Sequence, residues 1–256
     1  GPAVAAAYDE DGQPTKAALG FARSCGVDVT QLGRLETDKG QWLQYEAVRP
    51  GSPMTALIGD LVNDAISGVT IERAMRWGSQ RTEFIRPVQW VSLIYGSEVV
   101  EAEILGLSTG DRSRGHRFMD SGVFSLAPAS SYLETLRAHY VIADPTERRA
   151  TIEQQLQQIA NELEGDVVID PKLLDEVTAL VEWPVTLAGR FDSDFLSVPA
   201  EVLISAMKKH QRYFHVEDRE GALMPVFLFV ANLESKHPQT VVAGNERVIS
   251  PRLADA

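Results

Sequence analysis

The chain has 256 residues, of which 44% are hydrophobic and 23% charged, as is typical of a soluble globular protein. Its formal net charge of -12 argues against a protein that coats nucleic acid indiscriminately, although a local basic patch still provides a specific binding site. The single cysteine, Cys25, excludes an internal disulfide and a cysteine-based zinc site, and it fits a reducing cytoplasm.

The ends of the chain carry no recognisable targeting signal. There is no apolar run of about 18 residues, so we predict no membrane span. The first residues lack the basic segment of a signal peptide and also lack an initiator methionine. We therefore expect a cytoplasmic fragment cut from a longer polypeptide at both ends.

Two helices are predicted near the start. Pro14 and Thr15 open the first, which Gly26 ends, because proline favours helix starts and glycine favours helix ends. Pro53 opens the second, and Gly68 follows it. The apolar residues expected to face inward are Leu19, Phe21 and Ala22 in the first helix and Leu57, Leu61, Val62 and Ile66 in the second. Residues 41–48 between these helices alternate imperfectly and suggest a strand.

Strands follow in the next segment. Residues 84–95 and 99–105 have strand character, and Gly96 and Ser97 between them predict a hairpin. Pro87 lies in the first of these strands and is expected at an edge, a bulge or the strand start.

The second half alternates helices with strands. Residues 130–164 are predicted to be helical, with Asp144 as an N-cap before Pro145. A helix from Asp170 to Leu180, a strand at 184–188 and a helix from Pro199 to about 210 come next, followed by strands at 212–216 and 223–230. We therefore predict an α+β fold of mixed or antiparallel sheets with flanking helices. It forms two lobes, 1–126 and 165–256, joined by a helical segment at 128–164.

The chain shows no signature of a catalytic or metal centre. It contains no glycine-rich nucleotide loop, no nucleophile elbow and no histidine pair at metal-binding spacing. Glu101 and Glu103 share one face of a predicted strand. We interpret them as residues of a solvent-facing edge in preference to a general acid–base pair. We accordingly predict no catalytic and no metal-ligating residue in this chain.

Residues 73–118 contrast with the acidic whole, because arginines alternate there with Trp, Phe and Gly. Arginine offers a planar fork for phosphate, and glycine permits close backbone approach. A second basic group lies at a predicted helix end near 210. The candidate contacts for an anionic partner are Arg76, Arg86, Arg112, Arg114, His116, Arg117, Lys208 and Arg212. The structural alternative is that these side chains pair with neighbouring acids or cap helix C-termini.

The order of short motifs resembles the β subunit of the bacterial heterotetrameric glycyl-tRNA synthetase, over nearly the whole chain. No single motif is specific, whereas the series in this order is. The matching segments are 1–2, 15–18, 20–22, 75–78, 84–88, 114–118, 140–144, 176–178, 180–184, 198–201 and 244–248.

The resemblance implies an α2β2 enzyme that joins glycine to its tRNA using ATP. In that family the ATP- and glycine-activating core lies in the α subunit, so ATP with Mg²⁺ is expected there and no cofactor is expected in this chain. The implied partners are the α subunit, the tRNA for glycine and a second β subunit, with no membrane. The resemblance also implies that this sequence is the amino-terminal part of the β subunit, without the family's HD-type and anticodon-binding domains. The part present is similar to the B3/B4-type module of phenylalanyl-tRNA synthetase.

Three functions follow as hypotheses. The first is tRNA binding and subunit assembly without amino-acid activation. The second is an editing-type hydrolase acting on misacylated tRNA, which requires a concave pocket near Arg86, His116 or Glu103. The third is an interface to the α subunit alone, with Trp77, Trp90 and Trp183 as core or contact residues, of which core is the favoured role.

Overall fold

A computed structural model describes residues 1–48, 50–79 and 81–255. The chain divides into two compact units, Gly1–Pro53 and Met54–Ala256. Helices and small, mainly antiparallel sheets occur in both, which confirms the predicted α+β class. Within the described residues, no helix combines the length and the apolar character needed to cross a membrane.

The first unit packs two helices against a hairpin. The helices are α1 (Val4–Ala7) and α2 (Lys16–Cys25), and the strands β1 (Gly33–Thr37) and β2 (Gly40–Gln44) pair antiparallel. Gly26 ends α2 in the left-handed conformation, as glycine does readily. Ala7, Ala18 and Leu43 form its small core.

The first part of the second unit consists of a helix and short strands. Helix α3 (Met54–Ser67) lies against the segment after residue 100, where the Asn63 side chain donates to the Glu103 carbonyl at 2.9 Å. The strands are β3 (Met75–Arg76), β4 (Glu83–Phe84), β5 (Val91–Ser92), β6 (Ile94–Tyr95), β7 (Glu98–Val99), β8 (Glu103–Ile104), β9 (Leu107–Gly110), β10 (Arg112–Ser113) and β11 (Phe124–Ser125). They pair as β3–β4, β6–β7 and β10–β11 and as a three-stranded sheet β5–β9–β8, in which β5 and β9 run parallel.

The second part is a four-stranded antiparallel sheet between two layers of helices. The strands lie in the order β12 (Asp166–Val167), β14 (Phe214–Glu217), β15 (Leu223–Ala231) and β13 (Val185–Arg190). Helix α4 (Tyr132–Ala138) precedes this part in the chain. The helices of the two layers are α5 (Pro145–Glu162), α6 (Pro171–Leu180), α7 (Ala200–Ala206), continued by a π-helical turn (Met207–Gln211), and α8 (Pro238–Ala254).

The central strand β15 explains why this sheet is buried on both faces. Val226 and Leu228 join a core with α5 and α6, whereas Phe227 and Phe229 join a second core with α7 and α8. Alternate side chains of a strand point to opposite faces, so one apolar run supplies both cores.

Helix α8 is tied to the sheet by a polar contact. The Tyr213 hydroxyl donates to Asn245 Oδ1 at 2.6 Å, and burial raises the pKa of Tyr213 to about 12. Ile249 and Leu253 of α8 are buried in the same core as Tyr213. The helix is also bonded to β13, where the Arg190 backbone N–H donates to Glu246 Oε1 at 2.9 Å.

Most predicted helices are confirmed, including the Asp144 cap, whose carboxylate accepts from Thr146 N at 2.8 Å. The hairpin at Gly96 and Ser97 is confirmed, but the long strands predicted around it are wrong. Residues 84–95 and 99–105 form two-residue strands separated by irregular backbone, and Pro87 lies outside them. The strand predicted at 41–48 ends at residue 44.

One further expectation differs from the structure. Leu19, Leu57 and Leu61 were predicted to face inward but are about half exposed, and α3 has no buried residue among those described. The proposed lobes at 1–126 and 165–256 remain a prediction, while the compact units divide after Pro53. Within the predicted joining segment, α5 packs into the core of the four-stranded sheet.

Candidate functional site

A pocket of about 760 Å³ opens within the second unit, at the loop that follows β10. The loop contributes residues from both of its ends, and α4 supplies part of the opposite wall. The lining residues are Gln89, Trp90, Ser113, Arg114, Gly115, Arg117, Asp120, Ser121, Gly122, Tyr132, Leu136, Val141, Ala143 and Glu182.

Gly115 lets this loop lie directly on the C-terminal end of α4. A methyl group added at Gly115 would come within 2.5 Å of both Asp120 Oδ2 and the His139 carbonyl oxygen. The next residue, His116, donates its backbone N–H to the same carbonyl at 3.0 Å. The close approach therefore requires glycine, as the sequence pattern indicated.

One carboxylate of the pocket is oriented by a histidine. Asp120 Oδ2 lies 3.0 Å from His139 Nδ1, and the His139 ring stacks on Phe124 with a centroid separation of 3.7 Å. The Asp120 backbone N–H also donates to the His116 carbonyl at 2.9 Å. Packing and hydrogen bonds thus fix the carboxylate within the pocket wall.

The two arginines of the pocket have free guanidinium groups, unlike the candidates Arg76 and Arg212. Arg114 and Arg117 are exposed, and neither side chain makes a hydrogen bond or ion pair to any residue that the structure describes. The formal charges of the lining residues sum to zero, because the two positive charges of Arg114 and Arg117 are matched by the negative charges of Asp120 and Glu182. The pocket therefore offers both cationic donors and anionic acceptors.

Three predicted contacts are engaged in ion pairs instead. Arg76 pairs with Glu83 across the β3–β4 hairpin. Lys208 pairs with Asp170, and its hydrogen bond lowers the pKa of that carboxyl. Arg212 donates to Glu176 at 2.9 Å and to the Lys209 carbonyl at 3.2 Å. For these residues the geometry matches the structural alternative of pairing and helix capping.

His116 is not available as a contact, although the sequence placed it among the candidates. Its side chain is 2% exposed, and Nδ1 accepts the backbone N–H of Phe118 at 3.3 Å. The backbone bond to His139 turns the ring inward between two outward-facing arginines. The buried His116 ring therefore presents no surface to a partner.

Arg86 and Arg112 are exposed and lie near the pocket in sequence, without lining it. Arg86 Nη1 donates to the adjacent Ile85 carbonyl at 2.9 Å. Arg112 belongs to β10, one residue before the pocket residue Ser113. Both residues carry an exposed positive charge, and their contact with an anionic partner remains a prediction.

The sequence did not identify the aromatic part of the site. Trp90 was assigned mainly to the core, and Tyr132 to the apolar face of a helix, yet both are more than 40% exposed and line the pocket. Asp120, His139 and Glu182 were also missed. The only local signal was Asp120 itself, a polar residue in a loop bounded by Gly115 and Gly122.

The structure thus defines an α+β protein with a pocket that combines free arginines, exposed aromatic rings and an oriented carboxylate. A family model described as "Glycyl-tRNA synthetase beta subunit" matches residues 1–256. The chain belongs to this family.

Curated relatives agree with the family assignment. Proteins described as "Glycine--tRNA ligase beta subunit" are 54% identical in Chromohalobacter salexigens, 50% in Hahella chejuensis and 49% in Colwellia psychrerythraea. Each alignment covers 100% of this chain and 37% of the relative. The chain therefore spans a little over one third of the length of the relatives it matches.

Proposed function

We propose that this chain is the tRNA-binding and assembly region of the β subunit of a glycine–tRNA ligase, an enzyme that attaches glycine to its tRNA using ATP. Family membership supports the enzyme assignment. The observation that carries the tRNA role is the pair of free guanidinium groups, Arg114 and Arg117, in one pocket. Unpaired arginines are the natural donors for backbone phosphates.

Amino-acid activation belongs, in this proposal, to the partner α subunit, where ATP and Mg²⁺ act. The enzyme is cytoplasmic and has the α2β2 composition. Support for a role in assembly comes from α3, where Met54, Leu57 and Leu61 are each more than 40% exposed. Exposed apolar side chains on one helix are typical of surfaces that subunits bury. We also propose that the α+β region is related to the B3/B4-type module of phenylalanyl-tRNA synthetase, which superposition of the two would test.

The test of the tRNA role compares Arg114→Ala and Arg117→Ala in the complete β subunit assembled with the α subunit. Each contact with a phosphate contributes about 0.7–0.9 to the slope of log affinity against log salt concentration. We expect each variant to charge tRNA with a raised KM for tRNA and to bind it with a slope reduced by about that amount.

The matched control is Arg219→Ala, which removes an exposed arginine from the turn between β14 and β15. It lowers the net charge by the same amount at a position outside the pocket. The proposed role is refuted if Arg114→Ala and Arg117→Ala charge tRNA with wild-type kinetics and if their tRNA binding has the wild-type salt dependence.

A second candidate function, editing of misacylated tRNA, is favoured by one observation. The concave pocket that it requires lies next to His116, and Asp120 in its wall is held by His139 at 3.0 Å. A carboxylate oriented in this way is suited to position a water molecule for hydrolysis. The test measures deacylation of alanyl-tRNA and seryl-tRNA by the wild type and by Asp120→Asn. Editing predicts that the wild type deacylates these substrates and that Asp120→Asn has lost this activity.

A further inference from the structure

We infer that the pocket at the loop after β10 holds a single unpaired nucleotide of RNA, with its base stacked on Trp90 or Tyr132. This inference rests on the proposed tRNA role and specifies which part of an RNA the pocket accepts. It follows from the shape of the pocket, from its aromatic side chains and from its balanced charge.

The shape favours an unpaired nucleotide over a duplex. At about 760 Å³ the pocket falls within the range of about 300–1,000 Å³ that is common for small-molecule sites. A helical duplex presents its bases paired and stacked inside, where such a concavity does not reach them. A nucleotide turned out of the stack fits a pocket of this size and exposes its base edge and faces.

The aromatic side chains supply the surface that an unpaired base requires. Trp90 is 43% and Tyr132 is 44% exposed, which is a large exposure for rings of this size within a pocket wall. The rest of the protein therefore leaves part of each ring uncovered. Stacking on tryptophan and tyrosine is the general way in which proteins hold single-stranded bases, and it tolerates any base.

The charges fit a nucleotide better than they fit a bare anion. A site for a free polyanion would be strongly cationic, whereas here Arg114 and Arg117 are balanced by Asp120 and Glu182. A nucleotide carries a phosphate, which accepts from guanidinium groups, and a ribose and base, which donate to carboxylates. Because His139 holds Asp120 in place, that acceptor is oriented before the ligand binds.

The experiment measures fluorescence anisotropy of a labelled short single-stranded oligoribonucleotide, of the same strand annealed to its complement, and of the tRNA for glycine. The protein is the complete β subunit assembled with the α subunit. The variants are Trp90→Ala and Tyr132→Ala, and the matched control is Tyr95→Ala, an exposed tyrosine at the β6–β7 turn outside the pocket.

We expect the single strand to bind and the duplex to bind much more weakly. Removing the stacking ring should weaken binding of the single strand and of the tRNA by about 5- to 100-fold. Tyr95→Ala should not change either affinity. Trp90→Phe, which keeps an aromatic face, should recover most of the binding lost in Trp90→Ala, and a fold defect would give no such recovery.

Other outcomes separate this inference from the proposed function. If tRNA affinity falls in Arg114→Ala and Arg117→Ala but is unchanged in both aromatic variants, the nucleotide pocket is refuted and the tRNA role stands. Duplex binding as tight as single-strand binding likewise refutes the pocket alone. If neither the arginine nor the aromatic variants change tRNA affinity, both proposals fail.

Discussion

At the scale of single residues, Gly115 determines the geometry of the candidate site. The chain there lies so close to His139 and Asp120 that no side chain fits. The same contact fixes the orientation of the residues on either side, because the His116 N–H is bonded to the His139 carbonyl. Arg114 and Arg117 consequently face the pocket and His116 faces inward.

We predict that Gly115→Ala destabilises the fold and distorts the pocket. The new methyl group would meet Asp120 Oδ2, the His139 carbonyl and His139 Cβ, all within 2.7 Å. Overpacking of this kind costs about 1–3 kcal/mol of unfolding free energy. Chemical denaturation measures that loss, and tRNA binding by the variant should weaken together with it.

Gly110→Ala is the matched control for this prediction. Gly110 lies in the neighbouring strand β9, and a methyl group there would meet nothing closer than Arg112 N at 4.0 Å. Its unfolding free energy should stay within about 0.5 kcal/mol of the wild type. Equal stability of the two alanine variants would show that the approach at Gly115 is looser than the structure describes.

The sequence indicated which residue types form the site but not which of them face outward. Residues 114–117 form no regular strand or helix, so no period assigns their side chains to one side. His116 is buried through a contact with His139, 23 positions further along the chain. Trp90 and Tyr132 join the pocket through the same long-range arrangement, which local patterns do not encode.

At the scale of elements, predictability follows the strength of the local signal. Helix α5 was predicted because Asp144 and Pro145 mark its start and Ile152 and Leu156 recur on one face. Helix α8 was missed because its apolar pattern is weak, only Ile249 and Leu253 are buried among its described residues, and Pro251 lies inside it. Its position depends on packing against the sheet, which is tertiary information.

Strand β14 carries a group that links stability to pH. The His215 side chain is 14% exposed, and Glu217 Oε1 lies 3.5 Å from its Nε2. Burial is the main cause that lowers the pKa of His215 below its ordinary value. The charge of Lys208, in the preceding turn, contributes to lowering the pKa of His215. Charging this ring in the folded state is therefore harder than in the unfolded chain.

We predict that this histidine makes the protein less stable as the pH falls. Above the ordinary histidine pKa of about 6.5 the ring is neutral in both states and contributes nothing. Below it the unfolded chain binds the proton first, so unfolding free energy declines until the folded state is also protonated. Denaturation curves measured from neutral to mildly acidic pH should show a smaller decline in His215→Gln than in the wild type.

His210→Gln provides the control for the pH experiment. His210 is exposed at the end of the π-helical turn, so the same exchange there should leave the decline of unfolding free energy unchanged. An identical pH dependence in His215→Gln and the wild type would mean that burial of His215 has no energetic effect on folding.

At the scale of the whole molecule, ion pairing decides which basic residues remain available to a partner. Among the described residues, the lysines and arginines that pair with a carboxylate are Arg76, Arg137, Arg149, Lys208 and Arg212. Arg76, Lys208 and Arg212 each pair with a carboxylate, whereas the side chains of Arg114 and Arg117 have no such partner among the described residues. Basic residues that are equivalent in the sequence therefore differ in the folded protein.

We predict that Lys208→Ala and Arg212→Ala leave tRNA affinity and its salt dependence within about twofold of the wild type. A cation already held by a carboxylate releases fewer counterions from RNA than a free one, so its loss changes the salt slope little. The exposed Arg212–Glu176 pair contributes less than about 1 kcal/mol to stability, so the variant remains folded. The measurement is a salt titration of tRNA binding alongside Arg114→Ala. If the loss of affinity in Lys208→Ala or Arg212→Ala equals that in Arg114→Ala, the helix end near 210 contacts RNA and pairing does not decide availability.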